Sequence, residues 1–385
     1  MRTPDLNWIK DPRVFQVNRL HAYSDHIYTI GKDKKPSSFS LNGTWKFNLS
    51  KNYDSCFKFF YNTEFNDSNW NDIQVPGHIQ LQGFDNPHYT DVTYPWDGHD
   101  VVKPGQIDMD KNKVYQYRKT FDCPQDFIGN KLILSFEGVE SNIYVWLNGK
   151  FIGYSEDSFT PSRFDITKYT QEKDNVLCVR IFQKCTGTWL EDQDMWRFTG
   201  LFRDVMIYKQ PSLHIQDLKI DTDIDLDTNK SVLSCVCKMS SNESHTLQAK
   251  LYDPQGNIVW NGNMQDSFEI PVENTCLWSS EFPNLYQLEL VLYDTNNEII
   301  ETIQEQVGFR KFTLEYGIMK LNGKRIVFHG INRHEWNANS GRCITYEQME
   351  EDIHILKSLN INAIRTSHYP NNSYWYKLCD QYGIY

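Results

Sequence analysis

The sequence has no apolar run that could cross a membrane and no apolar signal core at its N-terminus. No stretch reaches the roughly 18 apolar residues that mark a membrane-spanning helix. Residues 1–8 lack the apolar segment of a secretion signal. An excess of basic residues is missing too. The net charge is −11, which disfavours a nucleic-acid backbone as a partner.

Cysteine spacings that would indicate a zinc site or a disulfide framework are also missing. The nine cysteines are scattered, and only Cys235 and Cys237 lie close together. We therefore expect reduced, buried thiols in a cytoplasmic protein. Repeats and low-complexity segments are absent, and 385 residues are enough for two or three domains.

Aromatic residues, by contrast, are plentiful at 14%, which suits both β-rich cores and carbohydrate-facing surfaces. Residues 1–37 show little periodicity and are predicted to form an extended N-terminal arm. Short strands separated by turns follow, and Asn148-Gly149 between two apolar runs is a strong hairpin signal. The pattern predicts an all-β, jelly-roll type sandwich over residues 38–210. The predicted strands lie at residues 131–136, 143–147, 151–154, 175–182 and 202–208.

Gln210-Pro211 marks the predicted boundary to a second strand series. Its strands are predicted at residues 231–239, 247–252, 286–293 and 299–307. This spacing indicates a smaller, immunoglobulin-like sandwich over residues 211–311.

The pattern changes to alternating strands and helices over residues 312–385. A hairpin over residues 318–328 leads into a first strand, and Thr345 and Gln348 form a capping box. Apolar residues then recur at helical spacing, a strand follows at 361–364, and a second helix near 373–382 stops at Gly383. Tyr385 is expected to begin a third strand. This βαβ organisation predicts the first units of a truncated (β/α)8 barrel.

Two segments at the predicted strand ends carry the polar groups of a site. Gly330-Ile-Asn-Arg-His-Glu335 follows the apolar run 326–328, and Ile364-Arg-Thr-Ser-His-Tyr-Pro370 follows the run 361–364. The carboxyl ends of parallel barrel strands face the active site. His334 and His368 are therefore candidate site residues. The alternative is that both are buried and only satisfy strand-end polar groups.

These two segments close a series of nine separated motifs that span nearly the whole chain. The first seven are Asn18-Arg-Leu20, Leu41-Asn-Gly-Thr-Trp45, Val75-Pro-Gly-His78, Tyr89-Thr-Asp-Val-Thr-Tyr-Pro95, Glu191-Asp-Gln-Asp-Met-Trp-Arg197, Gly200-Leu-Phe-Arg-Asp204 and Val307-Gly-Phe-Arg310. In this order the motifs resemble the N-terminal part of the β-galactosidases of glycoside hydrolase family 2. The resemblance implies retaining hydrolysis of terminal β-D-galactosides such as lactose.

The resemblance also implies roles for individual residues. His334 and His368 would donate hydrogen bonds to galactose hydroxyls, and Arg365 would hold the nucleophilic carboxylate ionised. Asp194 would contact galactose and help to ligate Na⁺. Asp91 would reach into the site on a sandwich loop, although the family commonly has Asn there, which can also donate hydrogen bonds.

The catalytic pair of the family is not matched in this sequence. Retaining glycosidases need two carboxylates about 5–5.5 Å apart. The nucleophile, the acid/base glutamate and the Mg²⁺ ligands of the family would all follow Tyr385. We therefore expect this chain alone to be inactive and to hold Na⁺ poorly. Its expected partner is the remaining C-terminal part, in cis or as a separate subunit, and the complete enzyme would be a homo-oligomer.

Other residues have structural explanations that compete with functional ones. Glu335, just past a strand end and near Arg333, is predicted to form an ion pair or to support a site residue, and Asp352 is predicted to be solvated on a helix face. The acidic run that contains Asp194 is predicted to be a partly buried site. Trp96 could stack on a sugar or pack in the core.

Three other functions stay open at this point. The β-glucuronidases and β-mannosidases share the domain order, although the segments around Asp194 and Trp336 favour a galactosidase. The first sandwich could form a non-catalytic carbohydrate-binding protein. The chain could also be a subunit that complements a separate chain.

Overall fold

The computed structural model describes residues 3–94, 96, 102–103, 105–191 and 194–385. The chain forms two compact units, each assembled from segments that are separate in sequence. The first unit contains Met1–His21, Ser38–Lys209 and Glu335–Ile344. The second contains Ala22–Ser37, Gln210–His334 and Thr345–Tyr385.

The first unit is a β-sandwich of a seven-stranded and a four-stranded sheet. In spatial order the seven strands are Gln16–Val17, Lys150–Glu156, Asn142–Leu147, Asn175–Phe182, Val114–Phe121, Gly43–Ser50 and Asn71–Val75. The four strands are Ser162–Asp165, Lys131–Phe136, Val205–Gln210 and Ser38–Ser40. Two short pairs complete the unit: Val139–Glu140 with Gly200–Leu201, and His88–Thr90 with Met195–Arg197. Its short helices are Leu6–Lys10, Gln80–Gln82 and Thr188–Glu191.

The seven-stranded sheet is buried on both faces. Side chains alternate along a strand, so Ile143 and Val145 enter the core between the sheets while Tyr144 and Trp146 enter a second cluster. Ile9, from the predicted N-terminal arm, is fully buried in that second cluster. The arm therefore contributes to a core, which its weak periodicity does not indicate.

The predicted Asn-Gly hairpin is confirmed. Asn142–Leu147 and Lys150–Glu156 pair in antiparallel register across Asn148 and Gly149. Both turn residues have positive φ, at 50° and 75°. This two-residue geometry favours Asn-Gly because both residues tolerate the left-handed region.

The second unit begins with a sandwich of a three-stranded and a six-stranded sheet. The three strands are Ile215–Asp225, Lys230–Met239 and Ser267–Glu273. The six, in spatial order, are Ile258–Met264, Thr246–Tyr252, Tyr286–Tyr293, Ile299–Val307, Tyr28–Ile30 and Lys35–Pro36. The last two strands come from the predicted arm, which thus supplies strands to both sandwiches.

The rest of the second unit contains a hairpin sheet and a βαβ arrangement. The hairpin strands are Phe312–Glu315, Ile318–Leu321 and Lys324–Arg325. Gly330–Arg333 and Ala363–Thr366 then pair in parallel, and the helices are Tyr346–Ser358 and Ser373–Tyr382. The capping box at Thr345 is confirmed, and Gly383 ends the last helix with a φ of 70°.

The predicted positions of the two parallel strands are wrong by a few residues. Residues 324–326 belong to the hairpin, as predicted, and the Ile326 amide donates to the Met319 carbonyl. The apolar run 326–328, however, does not form the first parallel strand, which spans Gly330–Arg333. The second begins at Ala363 instead of 361. Tyr385 exchanges backbone hydrogen bonds with Asn362 and Ile364, as a third parallel strand would require.

All nine cysteines are free thiols, and six of them are buried. Within the described residues, no helix is both long enough and apolar enough to span a membrane.

Candidate active site

The two candidate histidines lie together in the second unit. Gly330–Arg333 and Ala363–Thr366 run in parallel, so both chains leave the sheet at the same edge. His334 and His368 follow these strands, and their ring centroids are 5.5 Å apart with the planes nearly perpendicular. Both side chains are exposed, which disfavours the alternative that they are buried structural histidines. Four ring nitrogens are thus concentrated at the edge where a barrel site forms.

Arg365 lies on the second of these strands, directly opposite Asn332. Its guanidinium is exposed and makes long hydrogen bonds of 3.4 Å to the Asn332 Oδ1 and Ser367 Oγ atoms. No carboxylate among the described residues forms an ion pair with it. A guanidinium stays charged and binds carboxylates bidentately, so Arg365 is suited to accept one.

Arg333 fixes this edge from the buried side. Its Nη2 donates to the Asp352 carboxylate at 2.7 Å, and its guanidinium lies 3.6 Å above the centre of the Trp375 ring. Asp352 lies on a helix face and its side chain is 43% exposed, in line with the prediction, but its carboxylate also pairs with Arg333. The prediction that Glu335 forms an ion pair is confirmed, and its partner is Arg203 at 2.7 Å. The helix places Asp352 where the strand-end arginine can reach it.

Asp91 and Asp194 are brought together in the first unit. The strands His88–Thr90 and Met195–Arg197 pair, and the Asp194 amide donates to the Asp91 carbonyl at 2.9 Å. The Tyr89 hydroxyl donates to the Asp194 carboxylate at 3.0 Å, and this hydrogen bond raises the pKa of Tyr89. The backbones of these two exposed acidic residues therefore meet at the end of the paired strands.

Glu191 and Trp96, which are close to these residues in sequence, have structural roles. Glu191 is not a free ligand, because its carboxylate accepts from the Ser158 amide and hydroxyl at 3.0 and 2.6 Å. Asp192 and Gln193 lie outside the described residues. Trp96 is almost fully buried and packs against Tyr94 and Trp189, which supports its core assignment. Asp97, Gly98 and His99 lie outside the described residues.

The segment Glu335–Ile344, which follows the first parallel strand in sequence, is held in the first unit by two buried ion pairs. Arg203 pairs with Glu335 at 2.7 Å, and Arg342 pairs with Glu140 at 2.8 Å. All four side chains are at most 7% exposed. His78 accepts a hydrogen bond from the Arg342 amide at 3.1 Å, and burial lowers the pKa of this histidine, which keeps Nε2 available as an acceptor.

Comparison with known proteins agrees with this arrangement of domains. Family models described as "Glycosyl hydrolases family 2, sugar binding domain", "Glycosyl hydrolases family 2" and "Glycosyl hydrolases family 2, TIM barrel domain" match residues 39–211, 213–310 and 312–385 in turn. Together they cover nearly the whole chain. The chain belongs to glycosyl hydrolase family 2.

Relatives within family 2 include β-galactosidases of similar sequence. The chain is 48% identical to one from Halalkalibacterium halodurans over 99% of its own length and 39% of that protein. It is 41% identical to a β-galactosidase large subunit from Leuconostoc lactis, covering 99% of this chain and 64% of that subunit. The chain thus spans about two fifths of the length of the single-chain relative and under two thirds of the large subunit.

Among solved structures, a β-glucuronidase from Bacteroides uniformis has a similar fold. The TM-score is 0.73 with 22% identity, over 90% of this chain and 41% of that one. This likeness supports the fold assignment alone.

Two of the family 2 motifs supply residues that bind the segment Glu335–Ile344. His78 and Arg203 belong to two of the nine sequence motifs, and both hold the segment Glu335–Ile344. The sequence analysis missed this role, as well as Glu140 and Arg342. A buried charge with a partner more than a hundred residues away leaves no local pattern. The one local sign of a buried charge was Arg203, which directly follows an aromatic residue in Gly200-Leu-Phe-Arg-Asp204.

The residues present fit a cation site only in part. Among the described residues, no group of three His, Cys, Asp or Glu side chains is placed to hold a metal ion. Asp194 offers carboxylate oxygen, which suits a hard cation such as Na⁺. Asp91, whose backbone contacts that of Asp194, is a second exposed acidic residue at the same end of the paired strands.

Proposed function

We propose that this chain is the N-terminal portion of a β-galactosidase that hydrolyses terminal, non-reducing β-D-galactosides with retention. The observation that carries the proposal is the pair of exposed histidines at the ends of two parallel strands. Imidazoles at this edge can donate hydrogen bonds to sugar hydroxyls. The similarity to β-galactosidases over 98–99% of the chain supports this choice of substrate.

The proposal assigns catalysis to residues beyond those of this chain. A retaining mechanism needs a nucleophile and an acid/base carboxylate. Glu335, within the first site motif, and Asp352, between the two motifs, are both paired with arginines. Arg365, with no described carboxylate partner, would hold the nucleophile of the complete enzyme ionised.

The same proposal includes the cations and the partner. Asp194 would contribute to Na⁺ binding, while Mg²⁺ would be held by residues outside this chain. Relatives that are called large subunits support a partner chain that supplies the rest of the enzyme. We also propose a cytoplasmic location, which the nine free thiols support.

A β-glucuronidase is the less favoured alternative. A glucuronide carries a carboxylate, and the loop of the first unit presents the carboxylates of Asp91 and Asp194. Like charges at a binding site disfavour such a substrate. A neutral galactoside meets no such repulsion and can donate its hydroxyl protons to both carboxylates.

The test compares the chain alone with the chain completed by a relative. Residues 1–385 are purified from a host without β-galactosidase and assayed with 4-nitrophenyl β-D-galactopyranoside. We expect no turnover until the part of the Halalkalibacterium halodurans enzyme that this chain does not cover is added. Proton NMR should then show the β-anomer of galactose as the first product.

Two outcomes would contradict the proposal. Turnover by residues 1–385 alone, surviving repeated purification, would mean that the catalytic pair lies within this chain. Faster hydrolysis of 4-nitrophenyl β-D-glucuronide than of the galactoside by the completed enzyme would mean that the substrate assignment is wrong.

A further inference from the structure

Three aromatic side chains of the first unit form a continuous exposed surface, here called the aromatic platform: Tyr89, Trp196 and Trp336. Their exposed fractions are 48%, 40% and 37%. The ring centroids of Tyr89 and Trp196 are 5.4 Å apart, and those of Trp196 and Trp336 are 6.2 Å apart. Contiguous exposed aromatic surface is unusual on a soluble protein and marks a binding surface.

The platform is held rigidly from beneath. Phe198 is buried, and its ring plane lies within 13° of that of Trp196 and 25° of that of Trp336. The Trp196 carbonyl accepts from the buried Arg342 at 2.8 Å. Both indoles therefore stand on an ordered support, which reduces the entropy lost when a ligand binds.

The indole rings of Trp196 and Trp336 are exposed, whereas residues next to them in sequence are buried. Met195 and Arg197, on either side of Trp196, are buried, and Glu335, immediately before Trp336, is buried and paired with Arg203. The backbone is thus anchored at each position while the indole ring alone remains in solvent.

The platform adjoins hydrogen-bond acceptors. The Tyr89 hydroxyl donates to Asp194, and Asp194 is two residues from Trp196 on the same loop. A ligand on the platform therefore has aromatic faces under its apolar side and carboxylate oxygens at one end. This combination suits a sugar, whose C–H groups are attracted to the negative face of an aromatic ring and whose hydroxyls donate to carboxylates.

We propose that Trp196 and Trp336 bind the aglycone, the second ring of a β-galactoside, by stacking. The inference rests on the proposed function, because it takes Asp194 as the end that contacts galactose. The three platform rings extend farther than a single pyranose, so a ring bonded to galactose has indole surface available. Both glucose, as in lactose, and an aryl group would stack on this surface.

The test uses saturation-transfer NMR on residues 1–385 with lactose and with 4-nitrophenyl β-D-galactopyranoside. We expect saturation of the glucose protons and of the nitrophenyl protons. Trp196→Ala and Trp336→Ala should each weaken binding by about two- to tenfold, as expected for loss of one stacked ring. Phe59→Ala is the matched control, because Phe59 is an exposed aromatic residue of the same unit outside the platform.

Several results would overturn the inference. They are saturation confined to galactose protons, no saturation by the unmodified chain, or equal signals from the two tryptophan variants and the unmodified chain. If instead the tryptophan variants lose only their association with the added C-terminal part, the platform binds polypeptide. Hydrolysis by the completed enzyme is measured separately, so failure of the platform and failure of the proposed function give different patterns.

Discussion

At the scale of single residues, a charged side chain next to a candidate site residue can be structural. Arg203 and Glu335 form an ion pair with both side chains at most 7% exposed. Isolated burial of either charge would be costly, so the pair is stable only while both partners are present. Glu335, which directly follows His334, therefore stabilises the fold.

Glu335→Gln is expected to destabilise the first unit by about 3–5 kcal/mol, because it removes the carboxylate that faces a buried guanidinium. Urea unfolding followed by tryptophan fluorescence measures the change. Asp11→Asn is the control, since it breaks an ion pair with exposed Arg13 and should change the free energy of unfolding much less. Equal losses in the two variants would contradict a buried role for Glu335.

His368→Ala is expected to act on catalysis and to leave folding nearly unchanged. In the completed enzyme, loss of one hydrogen bond that strengthens in the transition state should lower kcat by about 10²–10³. The melting temperature of the same preparation should stay close to that of the parent, because the His368 side chain is exposed. A lower melting temperature with normal kcat would assign the histidine a structural role.

At the scale of elements, local signals predicted strands in both sandwiches and the helices Tyr346–Ser358 and Ser373–Tyr382, but missed long strands such as Val114–Phe121 and Ile215–Asp225. The Asn148-Gly149 turn and the Thr345 capping box are each encoded within a few adjacent residues, and both are confirmed. The first parallel strand was placed at the apolar run 326–328, whereas residues Gly330–Arg333 form it, and Ile326 bonds to the hairpin instead. Competition between two possible pairing partners cannot be read from one strand alone.

The same limit applies to the candidate site. His334 and His368 could be placed together because parallel strands end at a common edge. The pairings of Glu335 with Arg203 and of Glu140 with Arg342 could not, because each joins residues far apart in sequence. Sequence patterns indicate which side chains are available, and tertiary structure decides which of them become paired.

The strand Ile299–Val307 carries a buried acid that should make the second sandwich sensitive to pH. Glu301 is almost fully buried, and burial raises its pKa from 4.5 to about 8, although the Ile215 amide donates to it at 2.5 Å. The folded state therefore binds this proton more tightly than the unfolded state does. The stabilisation is complete below about pH 4.5 and is lost as the pH rises through about 8.

Glu301→Gln should remove this dependence, because the amide is neutral and its oxygen can still accept from Ile215. As the pH is raised from about 4.5 to 8, the urea midpoint of unfolding of the parent should fall relative to that of the variant. Glu269→Gln, at an exposed position of the same sandwich, should retain the parental profile. Parallel profiles for parent and Glu301→Gln would contradict protonation of Glu301 in the fold.

At the scale of the whole molecule, stability should decrease toward the C-terminal βαβ part. Strands Asn142–Leu147 and Asn175–Phe182 are buried throughout, whereas Gly330–Arg333 exposes three of its four residues. A parallel sheet normally has both faces covered. Exposed Val327, Phe328 and Ile331 lie in or near this pair of strands.

Native-state hydrogen exchange with mass spectrometry should follow this order in the monomeric chain. Amides of the two sandwiches should exchange slowly, and those after Phe312 should exchange faster, because less apolar surface covers them. Adding the rest of the enzyme should slow exchange in Gly330–Arg333 and Ala363–Thr366 specifically. Uniform protection of the chain alone through Tyr385 would contradict this gradient.

The placement of Glu335–Ile344 in the first unit has a consequence for biosynthesis. Ribosomes add about 5–20 residues per second, and N-terminal domains usually fold first. The sandwich strands end at Gln210, so the sandwich can form many seconds before Glu335 and Arg342 emerge. During that interval Glu140 and Arg203 cannot form their ion pairs with Arg342 and Glu335. The nascent first domain therefore has all its sandwich strands before two of its buried charges have their ion-pair partners. The speed of translation through residues 211–344 sets how long that state lasts.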